Sequence, residues 1–376
     1  MANVIPFKGL RYNTQKIEAL NLVTTPPYDI ISADEQKEYY KKHENNVIRL
    51  EYGQIYDTDT DTDNRYTRSA AFLKEWLDSG ILKQDEQEAI YLYQQKFSVN
   101  NVEMTCKGFM GLVELEEFSK GVVLPHEETL SKAKTDRFNL MDKTHCNFSQ
   151  IYCIYSDEQR ALRAIADKVC LASADVNFVA DDGIEQSLWI ITDKEIIESV
   201  REAFAGKQLF IADGHHRYET ALNFRNKLRE ENPDWKKDDL FNYVMMMLVD
   251  MEDQGLVVFP THRMVKDLES FNEAAVVSTL KDHFEIDKII VEKDIDMLSE
   301  TAEKELAYIK DKSAFILYCG GDYYYRLKIR DISVMEDYLP DTSEAYRGLD
   351  VNVLHTLILE KIMGIDKENM ANQKNL

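Results

Sequence analysis

The sequence has few of the residues that dominate fibrous, low-complexity and disulfide-rich proteins. Its 376 residues include 14 glycines and 7 prolines, which argues against collagen-like, mucin-like and linker-dominated chains. The five cysteines are scattered and form no CxxC pair, so the sequence shows neither a disulfide framework nor a thiolate zinc site. We therefore expect reduced thiols, most of which pack as small apolar side chains.

Long apolar runs and an excess of positive charge are missing as well. The most apolar stretch, from Tyr243 to Val249, falls far short of the roughly 18 residues that a membrane-spanning helix needs. Near the N-terminus, Pro6 and Lys8 interrupt any signal-peptide core, which predicts a soluble, cytoplasmic protein. Lysine and arginine number 45 against 68 acidic residues, and the net charge of −23 argues against nucleic acid as a partner.

The chain does contain ample material for packed cores. Hydrophobic residues make up 44% and aromatic residues 10% of it, and its length predicts two or three domains. We expect a mixed α/β protein with an N-terminal α/β lobe at residues 1–100 and a core at residues 101–260. Regular alternation of strands and helices past Thr261 predicts a C-terminal α+β lobe at residues 261–376, with a helix at 294–309 and a terminal helix.

Local patterns predict individual elements. Ser32 and Glu35 have the spacing of a capping box at the start of a helix. Residues 46–52 alternate apolar and polar side chains, as a half-buried strand does. Two runs of strand character predict a hairpin around Asn100 and Asn101.

The motif IADGHHRYETAL places polar residues at a predicted strand-to-helix turn, in the order Asp213, Gly214, His215, His216 and Arg217. The N-terminus of a helix offers unpaired backbone N–H groups and the positive end of the helix dipole, and arginine adds a bidentate cation. This pattern predicts an anion or phosphate site. Asp213 could bind Mg²⁺ or orient a histidine, or it could cap the helix while His215 or His216 packs against it.

A second polar segment, LPHEETLSKAKTDRFNL, holds His126, Glu127, Lys134, Asp136 and Arg137. Its acids and cations would suit a carboxylate that activates a nucleophile beside a phosphate clamp. The alternative is a solvated helix that carries ion pairs.

Two further places carry polar side chains whose role stays open. Asn147 and Ser149 lie where the chain enters a predicted strand, and they could be ligands or ordinary turn formers. The motif PTHRM pairs His262 with Arg263 in a strand predicted at residues 262–265. Because neighbouring side chains of a strand point to opposite faces, only one of the two should face a given pocket.

The chain carries an ordered series of motifs: TPPYDIIS, NNVIRLEY, LPHEETLSKAKTDR, NFSQIY, IADGHHRYETAL, GLVVFPTHR and VNVLH. Together they resemble the uncharacterised bacterial and archaeal family known as domain of unknown function 1015, over essentially the whole chain. The sequence departs from the expected family pattern at Glu128 and Gln150, which stand in place of arginine and proline. The first departure removes a cation from the polar segment.

The DGHHR motif also resembles the phosphate-binding signature of the ParB/sulfiredoxin-like fold, which includes free-serine kinases with a similar motif. The resemblance implies a ParB/sulfiredoxin-like core of strand, turn and helix, to which the C-terminal α+β lobe is added. It also implies that phosphates bind to Gly214, His215, His216 and Arg217.

From these patterns we expect a Mg²⁺-dependent phosphotransferase that uses a nucleotide, ATP or ADP, and acts on a small hydroxyl metabolite. Glu127, with His126 beside it, is the candidate catalytic base, and Asp213 is the candidate metal ligand. The other candidate cofactor-binding cations are Lys134, Arg137 and Arg263. A metal-dependent phosphoester hydrolase and a nucleotide-sensing regulatory module could use the same residues and stay open as alternatives. In each case these side chains should converge on one cleft.

Overall fold

The computed structural model describes residues 2–126, 131–259, 262–291, 304, 313–366, 369–370 and 374–375. The chain forms two compact units, Met1–Val258 and Phe259–Leu376. Both units combine helices with sheets, which confirms the mixed α/β fold class. Within the described ranges, no helix combines the length and the apolar character needed to cross a lipid bilayer.

The first unit contains most of the strands of the chain. Its strands are β1 (Val4–Ile5), β2 (Leu10–Tyr12), β3 (Leu82–Gln84), β4 (Ile90–Val99), β5 (Val102–Glu114), β6 (Val123–Leu124), β7 (Ile151–Tyr155), β8 (Val176–Val179), β9 (Glu185–Ile191), β10 (Leu209–Asp213) and β11 (Tyr243–Asp250). Its helices are α1 (Ala33–Lys42), α2 (Ile48–Glu51), α3 (Arg65–Asp78), α4 (Ser131–Thr144), α5 (Ala161–Val169), α6 (Lys194–Phe204) and α7 (His215–Glu231). Short 3₁₀ turns occur at Leu20–Leu22, Tyr28–Ile30, Phe118–Lys120 and Leu240–Asn242.

A nine-stranded mixed sheet forms the centre of this unit. Its order is β6-β10-β7-β11-β5-β4-β9-β8, with β1 also paired to β5. The pairs β6–β10 and β7–β11 are parallel, and the other pairs are antiparallel. A separate two-stranded sheet joins β2 to β3. Because β10 runs antiparallel to β7, the end of β10 lies beside the beginning of β7.

Two local predictions are confirmed. The β4–β5 hairpin turns at Asn100 and Asn101, which have positive φ values of 51° and 63°. Asparagine adopts this region more readily than most residues, and two such residues suit a tight hairpin. At α1, the Ser32 hydroxyl accepts a hydrogen bond from the Glu35 amide, and the Glu35 carboxylate accepts one from the Ser32 amide.

The strand predicted at residues 46–52 is wrong, because this segment forms the short helix α2. Asn46 is buried, and its Oδ1 accepts a hydrogen bond from the Ile48 amide at 3.0 Å while its Nδ2 donates to a backbone carbonyl. The asparagine side chain thus bonds to backbone groups, including the Ile48 amide, that would otherwise bond to a neighbouring strand. As a result, the helical turn buries Glu51.

The core of the first unit joins the sheet to helices α5, α6 and α7. Phe204 of α6 packs edge-to-face on Phe109 of β5 and on Tyr155 of β7, with ring centroids 6.4 and 4.9 Å apart. Leu162 of α5 and Tyr218 of α7 are buried in the same cluster. Full burial of a side chain as large as phenylalanine stabilises a fold by roughly 1.5–3 kcal/mol, so this cluster anchors β7 and the start of α7.

The second unit has its own three-stranded antiparallel sheet in the order β12-β14-β13. Its elements are α8 (Glu273–Leu280), β12 (Phe284–Ile290), β13 (Ala314–Leu317), β14 (Tyr323–Ile329), a 3₁₀ turn (Ile332–Val334), α9 (Met335–Tyr338), α10 (Glu344–Arg347), α11 (Asp350–Asn352) and a π-helical continuation (Val353–Ile362). Phe284, Leu327 and Leu357 are buried in a core formed within this unit. Apart from residue 304, the helix predicted at 294–309 lies outside the described residues.

The strand predicted at residues 262–265 is wrong. These residues belong to none of the sheets of the described chain, and Met264 is 78% exposed. An extended segment needs a partner strand for its backbone N–H and C=O groups. In this unit β12, β13 and β14 bond to one another, and the short apolar pattern after Thr261 does not add a fourth strand.

Candidate functional site

The DGHHR motif forms a tight turn between β10 and α7. β10 ends at Asp213, Gly214 is the N-cap residue, and α7 begins at His215. Gly214 has φ 95° and ψ 28°, in the left-handed region that glycine adopts without steric cost. A Cβ at this position would also lie 3.0 Å from Nε of Arg217. The glycine therefore allows the turn and the close approach of the arginine, next to the first N–H groups of α7.

Arg217 is held in this turn by two partners. Its guanidinium donates to the Asp213 carboxylate and to the backbone carbonyl of Gln150, which precedes β7. The Arg217 side chain is 12% exposed, whereas the Asp213 side chain is 57% exposed. Asp213 is thus an ion-pair partner of Arg217, and the N-cap position belongs to Gly214.

His126 and His215 come from different segments and contact each other. The His126 amide donates to Nε2 of His215 at 3.2 Å, and the two ring centroids lie 4.5 Å apart at an interplanar angle of 83°. Nε2 of His215 accepts this hydrogen bond, so it carries no proton in this arrangement. Nδ1 of His126 lies 2.7 Å from the Ile211 carbonyl oxygen, to which it must donate. His215 is only 4% exposed, and it joins the two segments as a packed ring.

Lys134 lies on α4, which packs against α7. Its Nζ donates to Oε2 of Glu219 at 2.8 Å, and both side chains are partly buried. The Lys134 carbonyl accepts a hydrogen bond from the Thr220 hydroxyl at 3.4 Å. The segment that carries Lys134 and Arg137 is therefore hydrogen-bonded to α7, the helix that begins with the DGHHR turn.

A small, partly open cavity brings together residues from separate parts of the first unit. Its volume is about 40 Å³, which is room for a few water molecules. The polar side chains that line it are Glu51, Arg137, Asn147, Ser149, Arg217 and Thr220. Two of the predicted cations, Arg137 and Arg217, thus border the same space.

Arg137 is almost completely buried and has several partners. Its Nε and Nη2 donate to one oxygen of the Asp136 carboxylate at 2.9 and 2.6 Å, and its Nη1 donates to the Glu51 carbonyl at 3.1 Å. The guanidinium carbon lies 3.8 Å from the centroid of the Tyr28 ring, a cation–π contact. Asp136 also pairs with Arg65 of α3. These contacts fix the plane of the Arg137 guanidinium beside the cavity.

Glu51 is a cavity residue that the sequence patterns did not reveal. Its side chain is buried and its Oε1 accepts a hydrogen bond from the Ser149 hydroxyl. Burial raises the pKa of the Glu51 carboxyl, and the positive charges of Arg137 and Arg217 offset part of that rise. One sequence feature could have pointed to Glu51, which is the single acid of the motif NNVIRLEY. The strand predicted for this segment did not indicate a partner for that acid.

Asn147 and Ser149, whose roles the sequence left open, have different environments. Oδ1 of Asn147 accepts a hydrogen bond from the Met245 amide at 3.0 Å, so this side chain fixes the chain to β11. Ser149 donates to Glu51 and lines the cavity. Both side chains thus line the cavity, and Asn147 in addition fixes the chain that leads to β7.

The other predicted site residues do not all join this cavity. Glu127 lies outside the described residues. His216 is half-buried in the first turn of α7. Arg263 belongs to the second unit, where its Nε donates to Nε2 of His355 at 3.1 Å. Burial and the charge of Arg263 lower the pKa of His355.

Three arginines and three acids either line the cavity or are linked to its lining residues by ion pairs, and we call this group the arginine cluster. Its members are Arg65, Arg137, Arg217, Glu51, Asp136 and Asp213. With every member ionised, the cluster is neutral. Among its three acids, Asp213 is the most exposed, with 57% of its side chain accessible, so it is the carboxylate that an incoming anion could most easily replace.

The described residues offer a metal ion few ligands. Among them, no three histidine, cysteine, aspartate or glutamate side chains converge closely enough to hold a metal ion. Mg²⁺ usually binds through one or two protein carboxylates and completes its octahedron with water and phosphate oxygens. Asp213 can supply one such carboxylate. The described residues therefore form no all-protein cage, and a Mg²⁺ held by Asp213 would take its other ligands from water or from a bound phosphate.

Fold and site together define a two-unit α/β protein whose first unit carries a buried arginine–carboxylate cluster at the start of a helix. The family model described as protein of unknown function (DUF1015) matches residues 4–352, and the chain belongs to that family. No curated protein and no solved structure matches the chain.

Proposed function

We propose that the arginine cluster binds the phosphate group of a small ligand, and that the protein is a Mg²⁺-dependent phosphotransferase acting from a nucleotide to a small hydroxyl metabolite. The observation that carries the proposal is that Arg137 and Arg217 border one cavity next to the N-terminus of α7. The similarity of DGHHR to the ParB/sulfiredoxin-like phosphate signature supports the same assignment of phosphate to the turn from Gly214 to Arg217.

The charges of the site suit phosphoryl transfer, which depends on positioning and on neutralising the negative charge that spreads over the phosphoryl oxygens. Arg217 and the first N–H groups of α7 supply donors at one turn, and Arg137 adds a second, immobilised guanidinium. Asp213 is exposed, so a phosphate can replace it on Arg217 without leaving the guanidinium unpaired. Asp213 is also the residue that would hold Mg²⁺, whose charge would further neutralise the phosphates.

Glu51 is the group that we propose accepts the proton of the hydroxyl substrate. Burial raises the pKa of the Glu51 carboxyl, which makes it a stronger base than an ordinary glutamate. The Ser149 hydroxyl fixes one of its oxygens. The cavity of about 40 Å³ admits a hydroxyl group and is too small for a nucleotide, which must bind on the exposed side near Asp213. Glu127 is the competing candidate for this role.

The proposal is tested by following phosphorus NMR of the full-length protein with ATP or ADP, Mg²⁺ and a panel of hydroxyl-bearing amino acids, hydroxy acids and sugars. A new phosphomonoester signal that depends on one member of the panel is the expected result. Inorganic phosphate as the only product would make the protein a phosphoester hydrolase. Nucleotide binding without turnover would make it a sensing module and overturn the transferase proposal.

Two carboxamide variants separate the candidate bases. Glu51→Gln should lower the turnover number strongly and remove the rise of rate with pH that reports its ionisation, while Glu127→Gln should keep the wild-type pH profile. The reverse pattern would assign the base to Glu127. Arg201→Ala, which removes a surface ion pair with Glu198, is the matched control and should leave the rate unchanged.

A further inference from the structure

A second and larger cavity lies in the first unit, away from the arginine cluster. Its volume is about 430 Å³, within the range of pockets that hold small metabolites. Side chains of β4, β5 and α5 form its apolar walls, among them Leu92, Phe109 and Leu162. Its polar rim includes Asp250 at the end of β11 and Asp253 in the loop that follows.

The position of this cavity in the sheet is one where ligands commonly bind. β7 and β11 are parallel neighbours, and their last residues, Tyr155 and Asp250, pair in register and both line the cavity. In open α/β sheets, ligands bind in the crevice beyond the carboxyl ends of the strands. The cavity therefore occupies such a crevice. Helix α5, which follows β7 in the chain, forms one of its walls.

The cavity is distinct from the proposed phosphate site. Arg217 bonds to the carbonyl of Gln150, just before β7, whereas Tyr155 at the other end of β7 lines the larger cavity. The five residues of β7 extend over roughly 15 Å at about 3.3 Å per residue. The two sites thus lie at opposite ends of the same strand, and the inference below stands whether or not the protein transfers phosphate.

The charges that line the cavity have an excess of acid. The acids are Glu103, Asp167, Asp250 and Asp253, and the cations are Lys107 and Arg163, which leaves two negative charges in excess. Lys107 donates to Asp167 at 2.7 Å, and Glu103 is paired with Lys96 at 3.0 Å. Of the lining charges that are left, Asp250 and Asp253 outnumber Arg163. A cationic ligand is therefore favoured over an anionic one.

Asp250 is the best-placed partner for such a cation. It is 7% exposed, and its Oδ1 accepts a hydrogen bond from the Glu252 amide at 3.1 Å. Among the described residues no donor bonds to its Oδ2, and this oxygen is not one of the buried unpaired atoms, so an N–H donor of a ligand in the cavity can reach it. A hydrogen bond from a protonated amine to a carboxylate is charge-assisted.

Asp253 adds a second carboxylate at the rim. Its Oδ1 accepts a hydrogen bond from the Gly255 amide at 2.7 Å, which fixes the loop after β11. Burial raises the pKa of the Asp253 carboxyl, and the charges of Arg163 and Lys107 offset part of that rise. A positive charge bound beside it would favour the ionised form.

A metal ion does not fit these carboxylates. In the parts of the chain that the structure describes, no three acidic, histidine or cysteine side chains are close enough to coordinate one. The walls of the cavity are partly apolar, so they can accept a carbon skeleton. We propose that this cavity binds a small organic amine, with its protonated amino group between Asp250 and Asp253 and its carbon chain along the wall that β4, β5 and α5 form.

The proposal is tested by isothermal titration calorimetry of the full-length protein with putrescine, ethanolamine and L-lysine, at constant ionic strength. Tetramethylammonium, which has the charge but no N–H donor, serves as the ligand control. We expect saturable binding of at least one primary amine and much weaker binding of tetramethylammonium. Equal, non-saturable heats for all four compounds would overturn the proposal.

Variants place the amine at the carboxylates. Asp250→Asn and Asp253→Asn should each weaken amine binding by about tenfold or more, since each removes a charged hydrogen-bond acceptor. The surface variant Asp238→Asn should bind as wild type does. If the buried Asp250→Asn does not fold, the less buried Asp253→Asn still decides the question, and wild-type affinity in that variant would contradict the proposal. Arg217→Ala should keep its amine affinity, which separates this site from the arginine cluster.

Discussion

At the scale of single residues, Glu51 is the group whose ionisation most directly opposes the fold. Its pKa in the folded protein is raised by burial above the value of about 4.3 that a glutamate has in an unfolded chain. The folded state therefore holds this proton more tightly than the unfolded state does. The contribution of Glu51 to the free energy of unfolding is therefore greatest at low pH. It falls as the pH rises above the pKa of the unfolded chain and through the raised pKa of the folded protein.

The variant Glu51→Gln tests this sign. The amide keeps the size and the acceptor oxygen for Ser149 but cannot ionise, so thermal unfolding at pH 8 should occur at a higher temperature than in the wild type. The gain should shrink as the pH falls toward the unfolded value of about 4.3, because protonation of the wild-type carboxyl removes the charge that opposes folding. The exposed variant Glu86→Gln is the control and should show neither effect. A variant less stable than wild type at pH 8 would mean that the ionised Glu51 carboxylate stabilises the fold through its attraction to Arg137 and Arg217.

Arg217 is the residue on which ligand affinity should depend most. Its guanidinium is the permanent charge at the start of α7, and hydrogen bonds to charged groups contribute roughly 1.5–3 kcal/mol. Arg217→Ala should weaken nucleotide binding by that amount in calorimetric titration while the circular dichroism spectrum stays unchanged. Arg217→Lys keeps the charge and loses the planar fork, so it should fall between the two. Equal affinities in all three proteins would exclude a phosphate at this turn.

At the scale of elements, the sequence predicted those whose causes are local. The capping box of Ser32 and the hairpin at Asn100 depend on residues only a few positions apart, and both are present. The segment 46–52 depends on a buried asparagine that bonds to the Leu22 carbonyl, a contact that no alternation pattern contains. Its apolar and polar residues suited a strand and a short helix equally well.

The candidate site likewise has one part that the sequence predicted and one part that it did not. The strand–turn–helix at Gly214 could be read from the motif, because glycine, strand and helix follow one another directly. The cavity could not be predicted from a motif, because Glu51, Arg137 and Ser149 meet only where α2, α4 and the chain before β7 pack together. Sequence spacing gives no measure of such contacts between distant segments.

Within the candidate site, the turn between β10 and α7 is an element where a single added methyl group should have a clear effect. Gly214→Ala places a Cβ 3.0 Å from Nε of Arg217 and forces alanine to φ 95°. Strain of this kind costs roughly 1–3 kcal/mol, and it should lower both the midpoint of urea unfolding and the affinity for a nucleotide. Gly206→Ala is the matched control, because its Cβ meets no atom within 4 Å. Equal effects of the two variants would contradict this role of Gly214.

At the scale of the whole molecule, each unit has its own buried core. The first unit gathers Phe109, Leu162 and Phe204 around the nine-stranded sheet, and the second packs Phe284 and Leu357 within a three-stranded one. Every described member of the arginine cluster lies in the first unit. Arg263, which the sequence pattern assigned to the same phosphate site, lies in the second.

A fragment of residues 1–258 therefore tests the division of function between the units. It keeps the nine-stranded sheet and the arginine cluster, so we expect it to unfold in one cooperative transition and to bind a nucleotide with the affinity of the full chain. Calorimetric titration of the fragment, of the full chain and of full-length Arg263→Ala measures the share of each unit. If the fragment folds but binds at least about tenfold more weakly, and Arg263→Ala shows the same loss, about 1.4 kcal/mol of the binding free energy comes from Arg263. That outcome would show that the arginine cluster is only part of the phosphate site.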